Sequence, residues 1–429
     1  MLIMFKAKNY TSFKDEVILD LRSSSYKQHS SHILNVSKDL KLLKTTAIYG
    51  ANASGKSNLI SAMFFFEQYM FSQFMNKREN ENLDLASQMD FASQKIKNKL
   101  EPFLLSDNIN ELSEFDIIFT YKNKLFQYGF ECTSKQVINE WYYINDKKVF
   151  ERKNETVDFG KEYEKLLQSY TKLPSERLYM SVLEYFLDDI SKEKIIEDFI
   201  EFFTKEYNVY SEILFEFSIK KVAGSISYHK KLIKDENYRA KIEKYLKQID
   251  VGIVGLKIDT KTVIDENTGI EEEKNIVKTI HNIFDDKGNP CGQRYFDIFQ
   301  ESTGTLRFLS YIQSIVDMTE EGGIFIVDEM SARLHPLLTK LIIDIFQSST
   351  NTKAQLVFTT HDISLLNKEQ FRRDEILFVD KDNKGESKLY SLSDLKIRED
   401  ATFNKDYLQG KYGAIPILDY DDILGIWKK

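Results

Sequence analysis

Gly50-Ala51-Asn52-Ala53-Ser54-Gly55-Lys56-Ser57 is the stretch that decides the fold. It is a complete G-x-x-x-x-G-K-S run. Before it stands the short β-prone segment Thr45-Thr46-Ala47-Ile48-Tyr49. After it Leu59, Ile60, Met63, Phe64, Phe66, Met70, Phe71 and Phe74 recur at helical spacing with no Gly or Pro. Strand, loop and helix in this order form the setting in which the motif binds phosphate, which separates it from a glycine-containing turn before a helix. Gly50 and Gly55 let backbone N–H groups wrap a β-phosphate at the positive end of the helix dipole. Lys56 reaches the β/γ-phosphates, and the Ser57 hydroxyl is placed as a Mg²⁺ ligand. Asn52, Ala53, Ser54 and Asn58 complete the candidate nucleotide-binding set.

The 429 residues are expected to form two or three domains, and 42% hydrophobic with 13% aromatic content is ample for real cores. Net charge is −8 with both signs mixed, so nothing global favours nucleic acid or membrane, and any DNA contact would need a local patch. The two cysteines, Cys132 and Cys291, are far apart without a C-x-x-C partner. They read as buried free thiols in a reducing cytosol rather than as zinc ligands or a disulfide. No apolar run approaches 18 residues, and Met1-Leu2-Ile3-Met4-Phe5-Lys6 turns polar too early for a signal peptide. A cytoplasmic protein is expected.

Outward from the loop, residues 2–21 read as two strands around a turn at Thr11-Ser12-Phe13-Lys14-Asp15. The polar stretch from Asn76 to Asn98 reads as a loop or exposed helix. Phe115 to Tyr121, Leu125 to Cys132 and Val137 to Ile144 alternate in the manner of an antiparallel meander, with Trp141-Tyr142-Tyr143 as cross-strand packing. From Lys161 to Ile249 the pattern is helical, with Ile195, Ile196, Phe199, Ile200 and Phe203 on one face and breaks near Pro174, Asn208 and Gly224. Two strands follow, Gly252 to Asp259 and Ile276 to Phe284, before a turn at 285–290. The expected division is 1–155, an N-terminal lobe with the phosphate loop; 156–249, an inserted helical module; and 250–429, a C-terminal lobe.

The C-terminal lobe supplies chemistry. Ile324-Phe325-Ile326-Val327-Asp328-Glu329 is a buried strand ending in two carboxylates: Asp328 fits a Mg²⁺ ligand acting through water or from just outside the ion's inner ligands, and Glu329 fits polarisation of a water attacking the γ-phosphate. Gln355-Leu356-Val357-Phe358 ends in Thr359-Thr360-His361-Asp362, placing His361 at the strand edge where open α/β sheets bind ligands, within reach of a γ-phosphate or its attacking water. Glu301-Ser302-Thr303-Gly304-Thr305 precedes a helix carrying Leu306, Leu309, Ile312, Ile315 and Val316. Ser302 or Thr303 caps that helix, or Ser302 and Gly304 form an outward anion site. Two weaker signals read as solvated charge: Asp419-Tyr420-Asp421-Asp422, and the basic pairs Lys220-Lys221 and His229-Lys230-Lys231.

The order of phosphate loop, Ser-x-Gly signature, acidic strand, Leu334-His335-Pro336 loop and strand-end His361 resembles the ABC-type ATPase heads of the SMC and RecF class. More closely, G-A-N-A-S-G-K-S-N-L-I, E-S-T-G-T-L-R, A-Q-L-V-F-T-T-H-D, the Arg372-to-Ile376 strand entry and the Tyr407-to-Pro416 segment resemble AAA-family ATP-binding proteins of abortive-infection systems, the AbiL and Rlo types. The likeness covers roughly 1–155 and 250–429. It implies a P-loop NTPase of ABC-ATPase head type, α/β, with a mixed central sheet, an antiparallel β subdomain and the inserted helical module. It further implies ATP and Mg²⁺ as cofactors, a homodimer whose Ser302 and Gly304 close over the partner's nucleotide, and hydrolysis coupled to antiphage defence. The chain ends soon after this core, so the effector, a Toprim-type nuclease or a toxin, is expected to be separately encoded. Two departures stand out: the signature is E-S-T-G-T where transporters carry L-S-G-G-Q, and Ser331 replaces an acid found in many relatives. The glutamine-bearing switch is expected after Pro102-Phe103. The alternative is a RecF- or SMC-like DNA-maintenance ATPase, against which the short, broken insertion counts, being unable to form a long coiled-coil arm.

Overall fold

The computed structural model describes residues 1–74, 100–107, 111–171, 174–210, 226–227, 229–249, 252–264, 271–332, 334–398 and 401–416. The expectations for Asn76 to Asn98, Lys220-Lys221, Gly224 and Asp419 to Asp422 lie outside them. The chain forms two compact units, one from 1–211, 322–330 and 343–429, the other from 212–321 and 331–342.

In the first unit, β1 (Leu2–Lys8) and β2 (Val17–Asp20) pair as the expected hairpin. The short pair β3 (Ile33–Asn35) and β4 (Lys41–Leu43) leads into β5 (Thr45–Tyr49), all five residues of which are buried. The expected meander is β6 (Ser113–Tyr121), β7 (Lys124–Cys132) and β8 (Val137–Ile144), extended by β9 (Lys147–Lys153) and β10 (Thr156–Phe159). Together they make a seven-stranded antiparallel sheet in the order β10-β9-β8-β7-β6-β1-β2. Strand periodicity sends Phe115, Phe119, Tyr128 and Phe130 to one face. There Phe66 of α1 (Lys56–Phe74) stacks on Phe130, and Phe202 stacks on Phe119 at 3.9 Å. Tyr179–Phe186, Asp189–Ile195 and Glu197–Glu201 are helical and continue into the turn Phe202–Glu206; of the expected apolar face Ile195, Ile196, Phe199 and Phe203 are buried and Ile200 is partly buried. Glu140 anchors the first of these helices, accepting from the backbone N–H of Tyr179 and Met180 at 2.5 and 2.9 Å.

One strand within the stretch expected to be helical is a correction. β11 (Tyr207–Tyr210) lies parallel to β15 (Gly323–Val327). Three β-prone residues and an asparagine inside a run rich in Glu and Lys give too weak a local signal, and pairing with a strand more than a hundred positions away decides the outcome. With β16 (Ala354–Thr359), β17 (Ile376–Lys381) and β18 (Ser387–Ser391) the second sheet has the order β11-β15-β16-β5-β17-β18, parallel except at β18. The carboxyl ends of its five parallel strands therefore share one edge, with β5 between β16 and β17.

The second unit contains α2 (Glu236–Ile249), the antiparallel sheet β12 (Ile253–Ile264), β13 (Glu271–Phe284) and β14 (Pro290–Asp297), and α3 (Thr303–Glu321). β12, β13 and the turn at 285–290 were expected; β14, polar and largely exposed, shows no alternation to announce it. Cys132 is buried, but Cys291 on β14 is exposed, which corrects the expectation of two buried thiols. Lys231 is held by Asp317 at 2.7 Å and Glu321 at 2.8 Å, so its charge is already matched by carboxylates. Among the described residues no helix is long and apolar enough to cross a membrane.

Candidate functional site

The buried run of β5 ends at Gly50, where any Cβ would run into the carbonyl oxygen of Val379 on β17. The loop then turns through Ala53 at φ 60° and Gly55 at φ 112°, a left-handed conformation that glycine adopts without strain. A Cβ on Gly55 would also collide with the hydroxyls of Ser12 and Ser387. Those hydroxyls brace the loop from behind: Ser387 Oγ donates to Ser54 O at 2.5 Å and lies 2.8 Å from Ser12 Oγ, and Asn58 Nδ2 donates to Ser12 Oγ at 2.7 Å. Asn52, Ala53, Gly55, Lys56, Ser57 and Asn58 face a cleft of about 600 Å³, and Glu329, His361 and Lys381 line it too. Ser54 is buried behind the loop with no hydrogen-bond partner for its hydroxyl among the described residues, and Gly50 shapes the turn.

Lys56 opens α1 with its ammonium on the carbonyls of Gly50 and Ala51, at 3.1 and 3.0 Å. Burial lowers its pKa, while the neighbouring carboxylates of Glu329 and Asp328 act in the opposite direction. Ser57 Oγ donates to Asp328 Oδ1 at 3.1 Å, and the same oxygen accepts from Thr359 Oγ1 at 2.6 Å. Burial raises the Asp328 pKa, and the hydrogen bonds from Thr359 and Ser57 oppose that shift. Glu329 adopts φ 51°, unusual for a residue with a side chain, and its N–H donates to Thr359 Oγ1 at 2.8 Å. Its Oε1 lies 3.1 Å from His361 Nε2. The hydroxyl of Ser57 and the carboxylate of Asp328 are hard oxygen donors brought together beside a phosphate loop, which fits Mg²⁺ bound with a nucleotide.

Residues 45–367 match the family model described as "AAA domain, putative AbiEii toxin, Type IV TA system". The chain belongs to this AAA-domain family. No curated protein matches the sequence. Among solved structures, the chain is similar to an Smc head bound to the C-winged helix domain of ScpA, at 14% identity and TM-score 0.41 over 91% of this chain and 97% of that one. It is similar to the SMC head domain from Thermotoga maritima, at 12% identity and TM-score 0.39 over 92% and 99%. A third is an Smc head domain with an extended coiled coil bound to the C-terminal domain of ScpA derived from Pyrococcus furiosus, at 13% identity and TM-score 0.42 over 96% and 98%.

In this AAA domain the structure brings together the loop, Asp328, Glu329 and His361 from three strands of one sheet. Ser302 and Gly304 belong to the second unit. There Ser302 Oγ accepts from the N–H of Thr305 at 3.1 Å and lies 2.8 Å from Thr305 Oγ1, so it caps α3. The cap uses a lone pair of the exposed hydroxyl, and the helix N-terminus behind it remains a local positive potential. Arg307 of the same helix donates to Ala332 O at 2.5 Å, tying α3 to the residues after Glu329. The expected switch segment has Phe103 buried, with its N–H donating to Asn9 Oδ1 at 3.0 Å, while Leu104 and Leu105 are exposed. Two residues escaped the sequence reading. In the sequence Thr359 reads only as the tail of a strand, although a hydroxyl two positions before a strand-end histidine is the available signal. Lys381 carried none, because only its pairing beyond Phe378, which lies opposite Tyr49, brings it beside the loop.

Proposed function

We propose that this AAA domain binds and hydrolyses ATP as an ABC-type head. Two copies close around two nucleotides, and the closed pair switches a partner effector. The observation that carries this reading is the convergence of Ser57, Asp328, Glu329 and His361 on the phosphate-loop cleft. Backbone N–H groups of the loop and Lys56 hold the phosphates, with Lys56 exchanging its carbonyl contacts for phosphate oxygens. Ser57 and Asp328 hold Mg²⁺, which when bound offsets phosphate charge. Glu329 orients the attacking water and accepts its proton, and His361 donates to the terminal phosphate while keeping the Glu329 carboxylate in place. Ser302 and the N–H groups at the start of α3 face the terminal phosphate of the other copy, adding favourable interaction only when two copies meet.

The setting we infer is cytoplasmic antiphage defence, supported by the abortive-infection motifs and the toxin–antitoxin description of the family. The composite site is tested by mixing. Ser302→Arg alone should bind ATP in its own loop yet neither dimerise nor turn over, and Lys56→Ala alone should fail to bind. Their mixture rebuilds one site with a sound loop and a sound signature, so part of the phosphate release should return. Full activity of Ser302→Arg by itself would leave the Ser-x-Gly segment as a helix cap and end the composite reading.

A further inference from the structure

The residue before the signature serine is held from outside its own loop. Glu301 has a nearly buried side chain, 7% exposed, whose Oε1 accepts from His281 Nε2 at 2.8 Å and from Thr279 Oγ1. Both donors stand on β13 two positions apart, hence on one face of the sheet. The His281 ring lies 4.6 Å from that of Phe296 on β14, and β14 runs through the turn Ile298–Gln300 directly into Glu301. The signature is thus joined to the β12–β14 sheet twice, once by the chain and once by this pair of hydrogen bonds.

Helix capping does not account for the arrangement. α3 is capped by Ser302, which accepts from Thr305 N–H without help from Glu301. A carboxylate withdrawn from water is costly unless it is hydrogen-bonded, and here both bonds go to the sheet rather than to the helix. What they fix is the direction in which the next residues face. We propose that Thr279 and His281 are positioning residues: through Glu301 they aim Ser302 and the N–H groups at the start of α3 toward the terminal phosphate held by a second copy. This rests on the composite-site reading. It makes the sheet a handle on the signature, since displacement of β13 is passed to Glu301 through two short side chains.

The test compares Glu301→Ala and Glu301→Gln with Ser302→Arg, reading ATP affinity by calorimetry, ATP-dependent dimerisation by sedimentation, and phosphate release. Glu301→Ala should keep ATP affinity, which belongs to the protomer's own loop, and lose dimerisation and turnover by about 10- to 100-fold, the scale of a misplaced binding group. Glu301→Gln keeps an oxygen that accepts from both donors and should restore both. If Glu301→Ala does not fold, His281→Phe keeps the ring contact with Phe296, removes one donor, and should show the same separation of binding from closure. Wild-type dimerisation in these variants while Ser302→Arg is inactive overturns the clamp and leaves the composite site standing. A Glu301→Gln protein as impaired as the alanine overturns the acceptor role, and an active Ser302→Arg overturns the composite reading itself.

Discussion

Replacing Thr359 by valine tests the proposed catalytic edge most directly, because one fully buried hydroxyl serves both acidic residues. It donates to Asp328 Oδ1 at 2.6 Å and accepts from Glu329 N–H at 2.8 Å. Valine fills the same volume and offers neither bond. Losing a hydrogen bond to a carboxylate costs about 1.5–3 kcal/mol, and leaving a buried N–H unpaired costs about 1–3 kcal/mol. Relaxation recovers part of that, so the net loss of stability should be about 3 kcal/mol. The relaxation is itself damaging: Glu329 sits at φ 51°, a conformation worth roughly 1–3 kcal/mol of strain, and without its tether the backbone can leave it and carry the carboxylate away from the cleft. Turnover should fall about 100-fold. Asp328, whose pKa burial already raises, loses its largest opposing hydrogen bond, so the acid limb of the pH–rate profile should move to higher pH. Urea unfolding and phosphate release from pH 5 to 8 measure all three effects, with Thr359→Ser, which keeps both bonds, as the control. A valine variant with unchanged stability and turnover would refute the reasoning.

Glu329→Gln keeps the side-chain volume and removes the proton acceptor, so phosphate release should fall about 100-fold or more while ATP binding persists; unaltered release excludes Glu329 as the catalytic carboxylate. Lys381→Ala removes an exposed cation on the cleft wall and should weaken ATP binding at low ionic strength and less so at high salt, read by titration calorimetry; equal affinities at low salt would remove it from the site. Glu67 on α1 is buried, and burial pushes its carboxyl up to about 8 from 4.5. The folded protein therefore keeps a proton that the unfolded chain releases, and the stability this provides is full below pH 4.5 and declines as pH rises to about 8, by up to about 5 kcal/mol. Glu67→Gln should flatten that decline in melting experiments, and parallel wild-type and variant curves would contradict it.

Much of the site was legible because its signals are local. The phosphate loop needs small residues at Gly50 and Gly55 for steric reasons that hold wherever the motif occurs. Asp328, Glu329 and His361 end short apolar runs, so their position at a sheet edge follows from the runs themselves. The meander was equally plain, since alternation with short polar turns leaves little choice of pairing. What escaped depends on partners distant in sequence. β11 is four residues that become a strand by lying against Ile324 to Val327, and the two donors that hold Glu301 lie 20 and 22 residues before it on another strand. β14, where Cys291 is exposed, is an edge strand without alternation, so neither its pairing nor its exposure could be read from its residues.

The sheet order explains why these distant groups meet at all. β5 enters between β16 and β17, so the phosphate loop leaves the sheet at a point where the adjacent strands come from later in the chain on both sides. On one side β16 delivers Thr359 and His361, and beyond it β15 delivers Asp328 and Glu329. On the other side β17 delivers Lys381. Parallel pairing brings all these strand ends to the edge where the loop begins, and the hydroxyl of Thr359 then joins two neighbouring strands across that edge. The acidic residues are therefore positioned by a strand other than their own, which is why a substitution at Thr359, outside the recognised motifs, should be felt at both carboxylates at once.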